Sequence, residues 1–136
     1  MLVEIKDLYT TAFWGKRIRL IYSPYIAGAY NVIYGDGELY RQYLRDLVNR
    51  YGKVWGCIEN EKDIAIRLET FKRLIKSLKR DGYLKKKEKW KGEGLYGGLT
   101  ADKDLNIIDG HHRIAVLYVL GQKVVELKIT DIQTTD

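Results

Sequence analysis

Cysteine and proline are nearly absent from this sequence, each occurring once among 136 residues. A single thiol, Cys57, excludes an internal disulfide and a zinc site built from several thiolates. No apolar run approaches the roughly 18–20 residues that cross a bilayer, and the opening residues MLVEIKDLY lack the basic-then-apolar pattern of a signal peptide. We therefore expect a cytoplasmic protein without a membrane partner.

Charge is unbalanced, because 24 basic residues against 18 acidic ones give a formal net charge of +6. Such an excess favours an anionic partner such as a nucleotide, a sugar phosphate or nucleic acid, although many soluble domains carry a similar charge. A hydrophobic fraction of 46% and a charged fraction of 31% are typical of a globular chain. The length is that of one domain, and the scarcity of Gln, Asn, Cys and Met is consistent with a thermophilic source.

The first third of the chain has the pattern of strands and turns. Residues 2–8 and 18–22 are rich in β-prone side chains, and Ser23-Pro24 closes the second run. Gly28 and the run Gly35-Asp36-Gly37 predict turns. We therefore expect short strands before the first helix.

Helical spacing of apolar residues predicts two helices in the middle of the chain. The first covers residues 38–51, with Asp36 as its N-cap and Gly52 as its end. Its Tyr40 and Tyr43 are predicted to face the core, with contact to a substrate as the alternative. The second begins between residues 60 and 70 and ends at Arg80, and residues 63–68 are ambiguous between helix and strand.

A glycine-containing, lysine-rich segment follows, with a basic run from Lys85 to Lys91. This composition predicts an exposed loop. Its lysines are expected either to be simply solvated or to form a flap over an anionic ligand. In the second case Trp90 or Tyr96 would offer a stacking face.

The last third predicts a β–turn–α–β unit. Residues 105–108 form a short apolar run, residues 112–120 have helical spacing closed by Gly121, and residues 124–129 alternate as a strand does. No internal repeat or linker divides the chain. We predict one α+β domain over residues 1–136, with a small mixed sheet and packed helices.

The run Asp109-Gly110-His111-His112-Arg113 lies at the turn between that strand and that helix. A helix that starts directly after a strand directs unpaired N–H groups and the positive end of its dipole at the space above the turn, which favours an anion. Gly110 lets a phosphate approach the backbone, the histidines can donate ring N–H bonds, and Arg113 can hold two phosphate oxygens. Asp109 is placed to orient a histidine, accept a ligand hydroxyl or help hold a metal. The sequence predicts a phosphate-binding site here.

Two other chemistries are disfavoured by the pattern. Adjacent histidines point in different directions, and neither an HExxH pattern nor a cysteine pair accompanies them, so a structural zinc site is not expected. The sequence has no GxxxxGK[ST] motif, which excludes a P-loop nucleotide hydrolase.

The run from Ile107 to Ala115, followed by Leu120-Gly121, resembles the signature of the ParB/sulfiredoxin-like superfamily in its DGxHR version. Upstream, the segment from Phe71 to Tyr83 is similar to the helix that precedes this signature in those domains. The two parts together cover residues 69–130, about half of the chain. Residues 1–60 match only vaguely, so their role is not assigned.

This resemblance implies a compact α+β domain whose glycine turn grips nucleotide phosphates. Sulfiredoxins have a reactive cysteine after the glycine, where this chain has His111, so their chemistry is not expected. Partition proteins have Glu-Arg-Arg there and continue into a DNA-binding helix-turn-helix; the sequence ends at Asp136, and we expect none. The branch of free serine kinases, which has the DGxHR turn, is the most similar.

The resulting hypothesis is an enzyme that binds ATP, ADP or CTP and, with Mg²⁺, transfers or hydrolyses a phosphoryl group, acting on a small molecule. Asp109, His111 and His112 are the candidate catalytic residues, with Gly110, His111, His112 and Arg113 on the phosphates and Asp109 on the metal. A kinase also needs a carboxylate as general base. The candidates are Glu69, Glu93, Asp102 and Asp109. The alternative is a non-catalytic nucleic-acid-binding or accessory protein that uses the same turn and the run from Lys85 to Lys91.

Overall fold

Four helices and seven short strands make up the described part of the chain. The computed structural model describes residues 1–11, 15–81 and 99–130. The helices are α1 (Pro24–Tyr34), α2 (Glu38–Tyr51), α3 (Glu61–Asp81) and α4 (His111–Val119). The strands are β1 (Leu2–Glu4), β2 (Tyr9–Thr10), β3 (Ile18–Arg19), β4 (Thr100–Asp102), β5 (Ile107–Asp109), β6 (Val124–Glu126) and β7 (Lys128–Thr130). Within these ranges, none of the helices has the length and apolar character needed to cross a bilayer.

The strands form three small sheets rather than one. β1 pairs with β6 and β2 pairs with β3, both antiparallel. In the third sheet β4 lies between β5 and β7, antiparallel to the first and parallel to the second. The predicted α+β class and the mixed sheet are thus confirmed.

The core is formed by the helices together with the strands and their flanking residues, and within it α1 packs against both α2 and α4. The apolar side chains of α2 and α3 recur every three or four residues, so each helix turns one stripe inward. Leu44 and Leu47 of α2 and Phe71 and Leu74 of α3 are almost fully buried. The predicted helix 38–51 has the observed bounds, and the ambiguous residues 63–68 are helical.

The prediction of strands and turns in the first third was wrong for α1. Ser23 caps this helix by accepting a hydrogen bond from the Tyr25 N–H (3.2 Å), and Pro24 occupies the first turn, where it suits a helix. Gly28 lies inside α1 instead of in a turn. A Cβ there would lie 2.9 Å from Cδ1 of Tyr40. This glycine therefore lets α1 and α2 approach closely.

The other predicted boundaries need smaller corrections. Residues 2–8 and 18–22 are each divided between a short strand and a 3₁₀ turn. The predicted strand 124–129 is two strands separated at Leu127, which pair with different sheets. The predicted cap Asp36 accepts a hydrogen bond from the Glu38 N–H (2.9 Å), while Gly37 occupies the N-cap position of α2 in a left-handed conformation.

Candidate functional site

The predicted strand–turn–helix is present, with the helix starting one residue earlier than expected. β5 ends at Asp109, Gly110 is the N-cap, and α4 begins at His111. The Ile114 N–H donates the first intrahelical hydrogen bond to the Gly110 carbonyl (2.9 Å). The N–H groups of His111 and His112 precede this hydrogen bond along the chain, and the helix contains no acceptor for them. The start of α4 therefore provides the positive pole that the sequence predicted.

Gly110 is required at this turn by both its backbone and its packing. Its φ of +98° lies in the region that side chains other than glycine rarely adopt. A Cβ would collide with the side chain of Leu99 and lie 3.4 Å from Nη2 of Arg113. The close approach of the Leu99 segment thus fixes the position of the turn.

A cleft of about 410 Å³ opens above this turn. All five residues of the predicted site line it, together with Ile108 and with four side chains from distant parts of the chain: Tyr25, Trp55, Cys57 and Arg67. The volume lies within the range of small-molecule sites, about 300–1,000 Å³. The structure therefore brings the whole sequence motif into one cleft.

The imidazole of His112 is enclosed by aromatic rings. Tyr25, Tyr40, Trp55 and Phe71 surround it edge-on, with ring centroids 4.9–5.8 Å away. A hydrogen bond of 2.8 Å joins its Nε2 to the Tyr40 hydroxyl. Burial, together with the charges of Arg67, His111 and Arg113, lowers the pKa of His112 to about 3. His112 is thus a neutral packing residue, and Tyr40 faces the core as predicted.

His111 is stacked on Tyr25, with ring centroids 4.9 Å apart and planes 20° from parallel. Burial lowers the pKa of His111 to about 4. Both histidines are therefore uncharged at neutral pH, where they can exchange hydrogen bonds with a ligand but add no positive charge. Because a general base works best with a pKa near the working pH, these rings are poorly suited to that role.

Arg113 is buried in the wall of the cleft, with 3% of its side chain exposed. Its Nη2 lies 3.4 Å from Oδ1 of Asp109, whose own side chain is 52% exposed. The guanidinium that the sequence assigned to a ligand phosphate is thus already paired. Asp109 keeps an exposed face toward the cleft.

Arg67 of α3 is a cation of the cleft that the sequence analysis did not single out. Its Nη2 lies 3.2 Å from Sγ of Cys57, and its guanidinium lies 5.5 Å from the centroid of the Trp55 ring. Nothing in the sequence distinguishes Arg67 from the other basic residues of α3. Only the packing of α3 beside α4 places it here.

Trp55 also lines the cleft and was not predicted. It lies in a tight turn closed by hydrogen bonds between Val54 and Ile58, and its φ of +51° is unusual for a residue with a side chain. Gly56, in the same left-handed region, is the one sequence signal that could have indicated this turn. The predicted stacking residues Trp90 and Tyr96, and the run from Lys85 to Lys91, lie outside the described residues.

The four candidate carboxylates have different positions. Asp102 is buried and accepts hydrogen bonds from the N–H groups of Asp104 and Asn106 and from the Asn106 amide, so it holds a turn. Glu69 is exposed on α3 beside Lys72 (3.6 Å), and Glu93 lies outside the described residues. Of the three described, only Asp109 lines the cleft.

No group of three His, Cys, Asp or Glu side chains that could hold a metal occurs within residues 1–11, 15–81 and 99–130. A magnesium ion does not require such a group, because it is commonly held by one or two carboxylates together with the phosphates of a ligand. The exposed carboxylate of Asp109 fits that requirement.

Comparisons of the chain with protein-family models, with curated proteins and with solved structures find no match. Its function therefore has to be argued from the cleft.

Replacing Gly110 by alanine should destabilise the protein more than the same change at Gly121. Both glycines have a φ near +100°, but a Cβ at 121 would meet open space. Both variants share the backbone strain, and only Gly110→Ala adds the collision with Leu99. We expect its free energy of unfolding to be lower by a further 1–3 kcal/mol, roughly the cost of overpacking. Chemical denaturation measures the difference, and equal losses would show that Leu99 does not fix the turn.

The two histidines should make the fold sensitive to acid. In the unfolded chain they take up protons near pH 6.5, whereas in the folded protein they do so only near pH 4 and pH 3. The unfolded state therefore binds more protons across this window, and stability falls as the pH falls through it.

At pH 5 the loss should amount to about 1–2 kcal/mol for each histidine relative to pH 7. His112→Gln leaves a hydrogen-bonding partner for Tyr40 but cannot titrate, so its free energy of unfolding should decline less between pH 7 and pH 5. Urea unfolding at the two pH values measures this. An identical decline in the variant and the parent would contradict the assignment.

Proposed function

We propose that the protein binds a nucleotide by its phosphates at the start of α4 and, with Mg²⁺, transfers or hydrolyses a phosphoryl group in the manner of ParB/sulfiredoxin-like enzymes. The observation that carries the proposal is the gathering of all five residues from Asp109 to Arg113 around one cleft at a helix N-terminus. Helix N-termini after a glycine turn are widely used to hold phosphates.

The charges of the cleft support an anionic ligand. Arg67 and Arg113 contribute two cations to the lining and Asp109 one carboxylate, whereas the histidines are neutral. Arg113 is paired with Asp109 inside the wall. The main contacts to the phosphates would therefore come from the α4 N–H groups and from Arg67, with His111 as a neutral hydrogen-bonding partner.

The aromatic side of the cleft suits a nucleobase. Trp55 is partly exposed, and the Arg67 guanidinium lies over its ring. The Tyr25 ring is stacked with the Trp55 ring, and the two planes are 14° from parallel. Flat aromatic faces stack on any base, with a contribution of about 1–3 kcal/mol per base. The part of the Trp55 ring that Arg67 and Tyr25 leave exposed would take the stacking role predicted for Trp90 or Tyr96.

Asp109 would hold Mg²⁺ or the acceptor hydroxyl at the mouth of the cleft. Bound Mg²⁺ would neutralise part of the charge on the phosphates. Arg113, by pairing with Asp109, would fix the direction of its carboxylate. The substrate that accepts the phosphoryl group would be a small molecule.

A nucleic-acid-binding role is the second candidate, favoured by the charge of α3. Over its full length, Glu61–Asp81, the helix carries seven basic and four acidic side chains, which is half of the net charge of the chain. The exposed side chains of this helix would contact phosphates of a strand rather than of a mononucleotide.

Nucleotides should raise the melting temperature, and Arg67 should be needed for their full affinity. At a ligand concentration of 100 times Kd the gain is about 2.7 kcal/mol by mass action. Arg67→Ala removes a cation of the cleft, so we expect about a tenfold loss of affinity for ATP, ADP or CTP in calorimetry. Arg50→Ala is the control, because Arg50 is an exposed residue of α2 that does not line the cleft.

The same titration run with adenosine should give no comparable shift, because adenosine has no phosphate. Titrations with and without Mg²⁺ separate the metal-dependent part of the affinity. The proposal fails if none of the nucleotides shifts the melting temperature at millimolar concentration. Tight binding of single-stranded or duplex DNA in place of mononucleotides would favour the second candidate.

A further inference from the structure

A second cavity, of about 280 Å³, lies beside the cleft, between α3 and the turn that carries Trp55. The two share Cys57 and Arg67 as lining residues. From this shared boundary the second cavity extends along α3 to Thr70 and Arg73. The cleft at the α4 turn thus borders on a space that contains further polar groups.

The charges of the second cavity also suit an anion. Arg67 and Arg73 both line it, and the Arg73 guanidinium lies 3.4 Å from the Thr70 hydroxyl. Its one lining carboxylate, Asp63, is engaged at the start of α3, where it accepts a hydrogen bond from the Glu59 N–H (3.0 Å). The Thr70 hydroxyl already donates to the Ile66 carbonyl (2.9 Å), so the groups that the lining presents to an anion are the guanidinium groups of Arg67 and Arg73.

The spacing of the two arginines leaves room for more than one anionic group. Arg67 and Arg73 are six residues apart in α3, which separates their backbones by about 9 Å along the helix axis. Of the two arginines, Arg67 lines both spaces, whereas Arg73 lines only the second. A ligand that reached both would have one charged group at the α4 turn and another beside Arg73.

We propose that this second cavity is an anion subsite that binds a further phosphate group of the ligand held at the α4 turn, with Arg67 shared between the two positions. The inference rests on the proposed function for the identity of the first phosphates. The phosphate in the second subsite belongs either to the polyphosphate chain of a mononucleotide or to the next phosphodiester of a short oligonucleotide. Both present the same chemistry to Arg73.

The test is calorimetry on the parent and on Arg73→Ala with four ligands: AMP, ATP, a 5′-phosphorylated dinucleotide and inorganic tripolyphosphate. Loss of one cation contact to the distal phosphate should weaken a ligand that spans both subsites by about fivefold. AMP, which reaches only the α4 turn, should bind both proteins equally. Lys76→Ala is the matched control, because it removes one exposed positive charge from the same helix outside the cavity.

The outcomes distinguish a polyphosphate chain from a phosphodiester as the source of the distal phosphate. They also distinguish failure of the second subsite from failure of the proposed function. A fivefold loss for ATP identifies the polyphosphate chain, and a loss for the dinucleotide alone identifies the phosphodiester. If no nucleotide binds but tripolyphosphate binding still depends on Arg73, the subsite stands and the proposed function fails. If ATP and the dinucleotide bind Arg73→Ala as tightly as the parent, or if none of the four ligands binds, the subsite is overturned.

Discussion

The imidazole of His112 is the point at which all four helices meet. It extends from α4 and contacts Tyr25 of α1, Tyr40 of α2 and Phe71 of α3, as well as Trp55 in the turn before α3. A charged imidazole would be costly inside this ring of aromatic side chains, which is why its pKa lies near 3. The position of α4, and with it the turn at the cleft, depends on this neutral contact. The cleft is therefore held in place by the same residue that forms part of its lining.

Because of this arrangement, the residues of the motif 109–113 fall into two groups with different roles. His112 and Arg113 hold the structure together, one through aromatic packing and the other through its buried pairing with Asp109. Gly110 and the N–H groups at the start of α4 face the cleft, where they can meet an anion. A motif of four polar residues and a glycine thus contains two residues that serve mainly to position the others. Under the proposed function, Arg67 supplies the charge that the sequence assigned to Arg113.

The sequence predicted those parts of the fold that local signals determine. The bounds of α2 follow from apolar spacing between Gly37 and Gly52, and the strand–turn–helix at Gly110 follows from an apolar run before a glycine. The helix α1 was missed because its β-prone and aromatic residues outweighed the capping signal of Ser23-Pro24. Arg67 and Trp55 could not have been assigned to the cleft from the sequence, because only the packing of distant segments brings them there. The fold class and the motif at the start of α4 were accessible from local chemistry, and the residues that distant segments bring to the cleft were not.

Amide NMR can show whether phosphates bind to the backbone at the start of α4, as the proposed function requires. In a titration with ATP, the backbone ¹H–¹⁵N resonances of Gly110, His111 and His112 should shift more than those elsewhere, because an anion accepts hydrogen bonds from this first turn. Adenosine at the same concentration should leave these three resonances nearly unchanged. Saturating ATP that shifts resonances elsewhere and leaves those of residues 110–112 in place would contradict the account.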